Sequence, residues 1–288
     1  MSRTIQLETL THPATLYARI ATTFFKKGKG NLPDISIELP KTTLTPDILK
    51  KYNKACGFDH TLIVPATYIH AYIFPLHTQL LSQPEVPFPL PGLIHFANSI
   101  KQYRPLYIGE TFSVTCKLGN LIAHDKGQAF EVLSYVAVDG KRIWEDTSIY
   151  LYKGKEGIGS VLEWEQPVLQ ENCIKESWSL YQNLGFEFAL ASGDFNPIHL
   201  HPLTAKVFGF ERHIIHGMWG AGKILALLEK RVPQAFEFTV LFKTPIYLPA
   251  SVIFRHEKTE EGFNFDVVDH TQEKPHLKGY LKVLENSH

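Results

Sequence analysis

The sequence predicts an α+β protein of two lobes, each a long helix followed by antiparallel strands. Three observations predict it. The chain has 288 residues, more than one hydrophobic core usually encloses. Each half carries a helix-like apolar stretch followed by runs that alternate with period two. A six-residue phrase recurs at the same place in the two halves.

In the first half a helix is expected over residues 67–81, then a turn-rich segment, then strands over 111–118, 129–138 and 141–152. Asp139-Gly140 between the last two is a two-residue hairpin signal, because both positions of a type I′ turn need positive φ. In the second half, a helix is expected over 217–230. Met218, Trp219, Ala221, Ile224, Leu225, Leu227 and Leu228 cover most of its circumference, so it is expected to be buried nearly all round. Gly217, Gly220 and Gly222 leave room for neighbouring backbone to approach, and Pro233 marks the end. Strands follow over 236–240, 251–256, 263–268 and 277–284.

The repeated phrase is Arg104-Pro105-Leu106-Tyr107-Ile108-Gly109 against Thr244-Pro245-Ile246-Tyr247-Leu248-Pro249, each between helix and next strand. With the repeated order of elements it reads as an internal duplication. Glycine and charge replace apolar alternation over 153–159, which places a linker there and lobes at 1–155 and 156–288.

Composition excludes several classes. Apolar residues make up 44% and charged residues 20%, near the averages for globular proteins, so disorder and coiled coil are not indicated. Lysine plus arginine equal aspartate plus glutamate at 29 each, without a basic stripe, so nucleic acid is not an expected partner. The opening Met1-Ser2-Arg3-Thr4-Ile5-Gln6 lacks a signal-peptide core, and the apolar stretch 62–81 is broken by Pro65, His70, Pro75 and His77, so export and membrane insertion are not expected. Cys56, Cys116 and Cys173 form no Cys-x-x-Cys pair; a cytoplasmic protein without a disulfide framework or structural zinc is expected.

The segment that carries chemistry is Ala191-Ser192-Gly193-Asp194-Phe195-Asn196-Pro197-Ile198-His199-Leu200-His201-Pro202. Its glycine, Asx residues and prolines form a loop that can aim Asp194 and His199 at one point. A carboxylate beside an imidazole suits addition of water to an α,β-unsaturated thioester, which needs an activated water, a proton for C2 and a donor for the enolate oxygen. The amide of Gly217, at a helix start, is a candidate for the third. Strongly coupled neighbours titrate as a pair, so the roles of acid and base stay undivided between Asp194 and His199.

Residues 188–205, followed by His216-Gly217-Met218, resemble the signature of the MaoC-like, R-specific enoyl thioester hydratases and dehydratases. Gly-Asp-x-Asn-Pro-x-His is its core; Ala205, Phe188 and Ser192 fit its flanks, and Ala191 departs mildly where a larger aliphatic residue or glycine is usual. The resemblance implies a double hot-dog fold, with a long helix wrapped by an antiparallel sheet in each lobe. It also implies that Asp194 and His199 are the catalytic pair, Asn196 a supporting residue and Gly217 the oxyanion donor. Ser192, Gly193, His216, Met218 and Trp219 are expected to line the substrate. No metal or cofactor is implied. The substrate partner is an acyl thioester of coenzyme A or acyl carrier protein, interconverted between (3R)-3-hydroxyacyl and trans-2-enoyl forms, and a homodimer is compatible. The first lobe departs from the pattern: Ala55-Cys56-Gly57-Phe58-Asp59-His60 lacks Asn-Pro-x-His. That lobe is expected to be non-catalytic and to accommodate the acyl tail.

The same residues admit plainer readings. Asp194 and Asn196 also suit an ordinary turn in which they satisfy backbone amides. His201, beside a proline at a helix start, suits a structural role. His199, His201, His213 and His216 with Asp194 resemble a zinc ligand set, but the motif match assigns the central pair to metal-free chemistry. Lys206, Arg212 and Lys223 are candidates for phosphates, with surface solvation the simpler reading. Met218 and Trp219 read as core or tunnel wall. The glycine phrases at 28–31 and 154–159 lack the spacing of a phosphate loop. No Gly-x-Ser-x-Gly elbow is present. The rival functions are a hot-dog acyl thioesterase and a non-catalytic acyl-thioester-binding subunit.

Overall fold

A computed structural model describes residues 2–154 and 157–284. In chain order the elements begin with β1 (Arg3–Gln6), α1 (Pro13–Thr22), β2 (Ile35–Thr43), α2 (Pro46–Cys56), β3 (Ile63–Val64), α3 (Ala66–Leu81), β4 (Leu93–Gln102) and β5 (Leu106–Tyr107). There follow β6 (Thr111–His124), β7 (Gly127–Val138), β8 (Lys141–Lys153), β9 (Ile174–Leu180), α4 (Leu184–Ser192), α5 (Pro202–Val207) and α6 (Gly217–Leu228). The last four strands are β10 (Phe236–Phe242), β11 (Ala250–Lys258), β12 (Gly262–Asp269) and β13 (Pro275–Val283). None of the described helices is long and apolar enough to cross a membrane.

Packing divides the chain into two units: Met1–Leu44, Tyr72–Asn98 and Gly109–Trp164 form the first, and Thr45–Ala71, Ser99–Ile108 and Glu165–His288 the second. Chain order and packing thus cut the molecule differently. The helix-then-strands repeat cuts once, between residues 155 and 156, which lie outside the described residues. Packing instead groups 45–71 and 99–108 with the C-terminal half, because α2 lies against α4 and α6.

In the first unit the strand order is β1-β2-β6-β7-β8-β4. β1 is parallel to β2, and the pairs β2-β6, β6-β7 and β7-β8 are antiparallel. β7 shows why these residues make a strand: Phe130, Val132, Ser134 and Val136 are buried, while the residues between them are half-exposed, the alternation of a sheet with one face on a core. Asp139 and Gly140 have φ of 48° and 74°, as the predicted type I′ turn requires.

In the second unit the order is β10-β13-β12-β11-β9, every neighbouring pair antiparallel. α6 lies against β10 and β13, and Ile224, Leu225 and Leu228 on it have no exposed surface; such burial stabilises by roughly 1.5–3 kcal/mol per side chain. A Cβ at Gly217 would stand 2.7 Å from the Phe242 ring, one at Gly220 3.0 Å from Leu277 Cδ2, and one at Gly222 2.8 Å from Cys56 Sγ. Side chains, rather than the expected backbone, fill the space these glycines leave.

The repeated phrase also has a structural meaning in this unit. Ile63 pairs with Tyr107, and Ile214 pairs with Tyr247 in an isolated bridge. The Ile108 amide donates to Leu62 O at 2.9 Å, and the Leu248 amide to His213 O at 3.0 Å. Each copy of the phrase therefore pins the extended stretch that leads into a long helix, α3 in one case and α6 in the other.

Candidate active site

The site begins where α4 stops. Gly193 takes the left-handed conformation, φ 79°, and its amide closes the last turn on Ala189 O at 2.8 Å, a helix ending that favours glycine. Ser192 Oγ donates to Phe188 O at 2.8 Å and accepts from the Asp194 amide at 3.3 Å. Two Asx turns follow: Asp194 Oδ1 accepts the Asn196 amide at 3.1 Å, and Asn196 Oδ1 the Ile198 amide at 3.3 Å. Pro197 then opens a single 3₁₀ turn, Pro197–His199, where its fixed φ suits a helix start and its missing N–H costs nothing. Both carboxyl-type side chains thus perform the backbone role that a plain turn would give them, and the same turns deliver His199 inward.

His199 is 8% exposed and His216 3%. Their rings stack with centroids 3.6 Å apart and planes 24° apart, and the Phe188 ring meets His216 at 4.9 Å, tilted by 58°. A carbonyl oxygen only accepts, so the partners fix the tautomers. His199 Nδ1–H donates to Ile214 O at 2.9 Å, leaving Nε2 as the nitrogen with a lone pair. His216 Nε2–H donates to Asp194 O at 2.9 Å and lies 3.8 Å from Asp194 Oδ2; its buried Nδ1 has no hydrogen-bond partner among the described residues. Burial, reinforced by the neighbouring His216 and opposed by Asp194, pushes His199 down to about 3. Burial likewise pushes His216 down to about 4. Both imidazoles are therefore neutral across the physiological range.

The structure brings Asp194, His199 and His216 together, with ligand-type atoms all within 4.8 Å of one another. Two histidines and a carboxylate are a zinc-type donor set, but these donors fit a metal poorly. The His216 nitrogen that faces the Asp194 carboxylate is Nε2, and its hydrogen is given to Asp194 O, so it has no lone pair to offer an ion beside that carboxylate. His201 stands apart: its Nδ1 caps α5 by accepting the Leu203 amide at 3.2 Å. His213 Nε2–H is bound to Gln182 O at 2.8 Å.

Gly217 follows His216 directly and is the first residue of α6, so its amide has no carbonyl within the helix to bond. Met218 is half-buried. Trp219 Nε1–H donates to Ala55 O at 2.9 Å, and its ring meets Trp178 edge-on at 6.0 Å. Of the basic candidates, Arg212 lies over the Tyr247 ring at 5.9 Å, Lys206 is exposed, and Lys223 is half-buried on α6. Sequence reasoning missed the carbonyl of Ile214 and the stack of His216 on His199, since a contact across a loop leaves no local pattern.

Comparison with known proteins shows what the chain is similar to. Residues 163–279 match the MaoC like domain. The chain is 27% identical to 3-hydroxyacyl-thioester dehydratase X of Mycobacterium tuberculosis over 256 residues, covering 88% of this chain and 91% of that protein. Over 76 residues it is 37% identical to the (R)-specific enoyl-CoA hydratase of Aeromonas caviae, covering 25% of this chain and 57% of that one. The crystal structure of HtdX of Mycobacterium tuberculosis superposes with a TM-score of 0.76 at 27% identity, covering 86% of this chain and 100% of the other. The α+β, hot-dog architecture expected from the motif is the one observed.

Proposed function

Residues 163–279 belong to the MaoC-like domain family, and on that premise we propose that the chain is a hydro-lyase interconverting (3R)-3-hydroxyacyl and trans-2-enoyl thioesters of fatty acid metabolism. The observation that carries the reading is the neutral His199 with its Nε2 lone pair beside the Asp194 carboxylate, both held by loop hydrogen bonds.

In this reaction a water lies between Asp194 and His199 Nε2. The two acceptors align its hydrogens; as its oxygen attacks C3, one proton passes to the Asp194–His199 pair, which delivers it to C2 from the same side, and the other stays on the new hydroxyl. In between, the electron pair of the attacked double bond rests on the thioester oxygen, to which the Gly217 amide donates at the positive end of α6, and it returns to C2 as the proton arrives. His216 holds the loop through Asp194 O and supports the His199 ring by stacking. Asn196 shapes the turn, and Ser192 and Gly193 fix where it starts. Met218 and Trp219 lie along the substrate path. No metal enters the scheme, so turnover is expected to survive prolonged chelation.

Residues 1–155 act as the non-catalytic lobe and accommodate the acyl tail; residues 156–288 carry the site. All three cysteines are free, which suits a reducing compartment such as the cytoplasm, and a homodimer is compatible with this reading. The decisive experiment follows loss of the conjugated enoyl thioester from a short enoyl-coenzyme A in water while assaying free thiol. Hydration consumes the conjugation and releases no thiol. Stoichiometric thiol release would make the protein a thioesterase, and binding without turnover would make it a carrier-binding subunit.

A further inference from the structure

The first unit presents an apolar face that its own core does not use. α1 and the 3₁₀ turn after it, Thr23–Phe25, bury Leu16 and Thr23. Tyr17, Ala18, Ala21, Phe24 and Phe25 are exposed, and their spacing of i, i+1, i+4, i+7 and i+8 puts them on one side of the helical path. Phe24 is 60% exposed and Phe25 93%. Exposed hydrophobics scattered singly are ordinary, whereas a contiguous apolar face with a polar rim marks an interaction surface.

The backbone beneath these rings is fixed. Thr23 Oγ1 donates to Ile20 O at 2.7 Å and accepts the Leu90 amide at 3.0 Å. The Lys26 amide donates to Thr23 O at 3.0 Å and the Gly28 amide to Pro87 O at 2.9 Å. The Lys26 ammonium donates to Leu81 O at 2.8 Å and Gln83 O at 2.7 Å, a cation placed where α3 ends and its carbonyls need partners. Turning the two phenylalanines into the core would break these bonds, so the fold itself holds them outward.

Charge says what covers the face. Residues 9–33 carry Arg19, Lys26, Lys27 and Lys29 and no aspartate or glutamate, in a chain whose acidic and basic residues balance. Lys26 points inward, and burial pulls it down to about 8. Glu85, which the fold brings toward Lys26, is bound by Arg3 at 2.8 Å. Arg19, Lys27 and Lys29 have no ion-pair partner among the described residues. The aromatic apex is therefore followed at once by a cationic shoulder. That order matches the depth profile of an anionic bilayer, where aromatic rings enter the headgroup–acyl boundary and lysines meet the phosphates above it. A protein partner would need a pocket shaped to two adjacent rings; a fluid interface accepts protruding rings without one.

We infer that this face docks the first unit on an anionic lipid surface, with Phe24 and Phe25 entering the interface and Arg19, Lys27 and Lys29 meeting lipid phosphates. The contact is peripheral: α1 has 10 residues, about half of what a membrane-spanning helix needs. The inference does not depend on the thioester reading.

The test is co-sedimentation of the full chain with vesicles of phosphatidylcholine alone and with vesicles of about two parts phosphatidylcholine to one part phosphatidylserine. The parent is expected to bind the mixed vesicles at least about tenfold more tightly than the neutral ones, and to leave them as salt is raised from about 0.1 to 1 M. Phe24→Ser/Phe25→Ser and Lys27→Gln/Lys29→Gln should each weaken binding to the mixed vesicles by about tenfold or more. Lys258→Gln, at an exposed lysine of β11, should change it by less than about twofold. All five positions are exposed, so the variants should keep the parental circular dichroism and thermal midpoint. A parent that does not bind the mixed vesicles overturns the inference, and so does binding that survives loss of both phenylalanines. Self-association of the parent without vesicle binding, abolished in Phe24→Ser/Phe25→Ser, would also overturn it and assign the face to a second copy of the chain.

Discussion

Two stretches of the second unit are built alike and differ by one insertion. α2 ends at Gly57, φ 92°, with its amide on Asn53 O at 2.7 Å; α4 ends at Gly193, φ 79°, with its amide on Ala189 O at 2.8 Å. Each then leads into an extended stretch pinned by the repeated phrase and on into a long helix. Matching those pairings sets Leu62 against His213, Pro65 against His216 and Ala66 against Gly217. Leu62 lies five positions after Gly57 in the first copy, and His213 twenty positions after Gly193 in the second. The scaffold is therefore common to both copies. The chemistry we propose lies in the inserted loop and in two replacements at the helix start, where Pro65 offers neither an N–H nor an imidazole.

The largest expected effect tests the insertion. Asp194→Asn and His199→Ala should each lower kcat by about 100- to 10,000-fold, the usual worth of a positioned acid or base, with unchanged circular dichroism. Asp59→Asn and His60→Ala, in the loop without the insertion, should leave turnover within about twofold, since they hold no general acid or base role. Similar losses from both pairs would erase the contrast between the copies.

The helix start comes next. In Gly217→Ala the new Cβ meets the Phe242 ring at 2.7 Å, so helix and ring must part and the amide shifts; misplacement on the ångström scale costs roughly 10- to 100-fold in kcat. Ala66→Gly at the matching position should leave turnover alone and cost up to about 1 kcal/mol of stability. Steady-state kinetics and urea unfolding of the two variants separate these outcomes.

How far the sequence disclosed this arrangement depended on whether a feature is local. β7, β8 and β10 to β13 alternate apolar and polar residues and are legible at once. β4 was read as turn-rich because Asn98, Ser99 and Gln102 point into buried surroundings, so burial and polarity do not alternate together. α4, Leu-Gly-Phe-Glu-Phe-Ala-Leu-Ala-Ser, has apolar residues on all sides and gives no helical stripe. The motif Gly193 to His199 is contiguous, so the loop that brings Asp194 beside His199 was legible in it. The support from His216 arises from packing between distant segments and leaves no trace in spacing.

Protonation sharpens the comparison further. His199 and His216 are held near 3 and 4 in the folded protein, against about 6.5 unfolded. The unfolded chain therefore binds more protons between those values, and stability must fall as pH drops below about 6.5. His216→Phe keeps a ring on His199 but removes one buried group that titrates. It should make the acid limb of unfolding shallower by about one proton. It should also lower kcat, because Asp194 O loses its donor. An acid limb identical to that of the parent would show that His216 does not titrate on unfolding.

The smallest effect is expected at His60, in the copy without the insertion, and its sign is opposite. Its Nδ1–H donates to Ile63 O at 2.9 Å and its Nε2–H to Glu229 Oε1 at 2.8 Å. With an acceptor on each nitrogen, the doubly protonated ring is favoured. Burial pulls His60 down, but the hydrogen bond and charge of Glu229 outweigh it, and the net shift is upward. A raised group contributes stability that is fully present below the unfolded value of about 6.5 and is lost as pH rises through the folded value. The pair is partly exposed, which limits the contribution to about 1 kcal/mol or less. His60→Gln should therefore destabilise urea unfolding more at about pH 6 than at about pH 9. A penalty that grows toward alkaline pH would mean that this histidine, like His199, is held neutral, and the two loops would then share the electrostatics that their hydrogen-bond partners set apart.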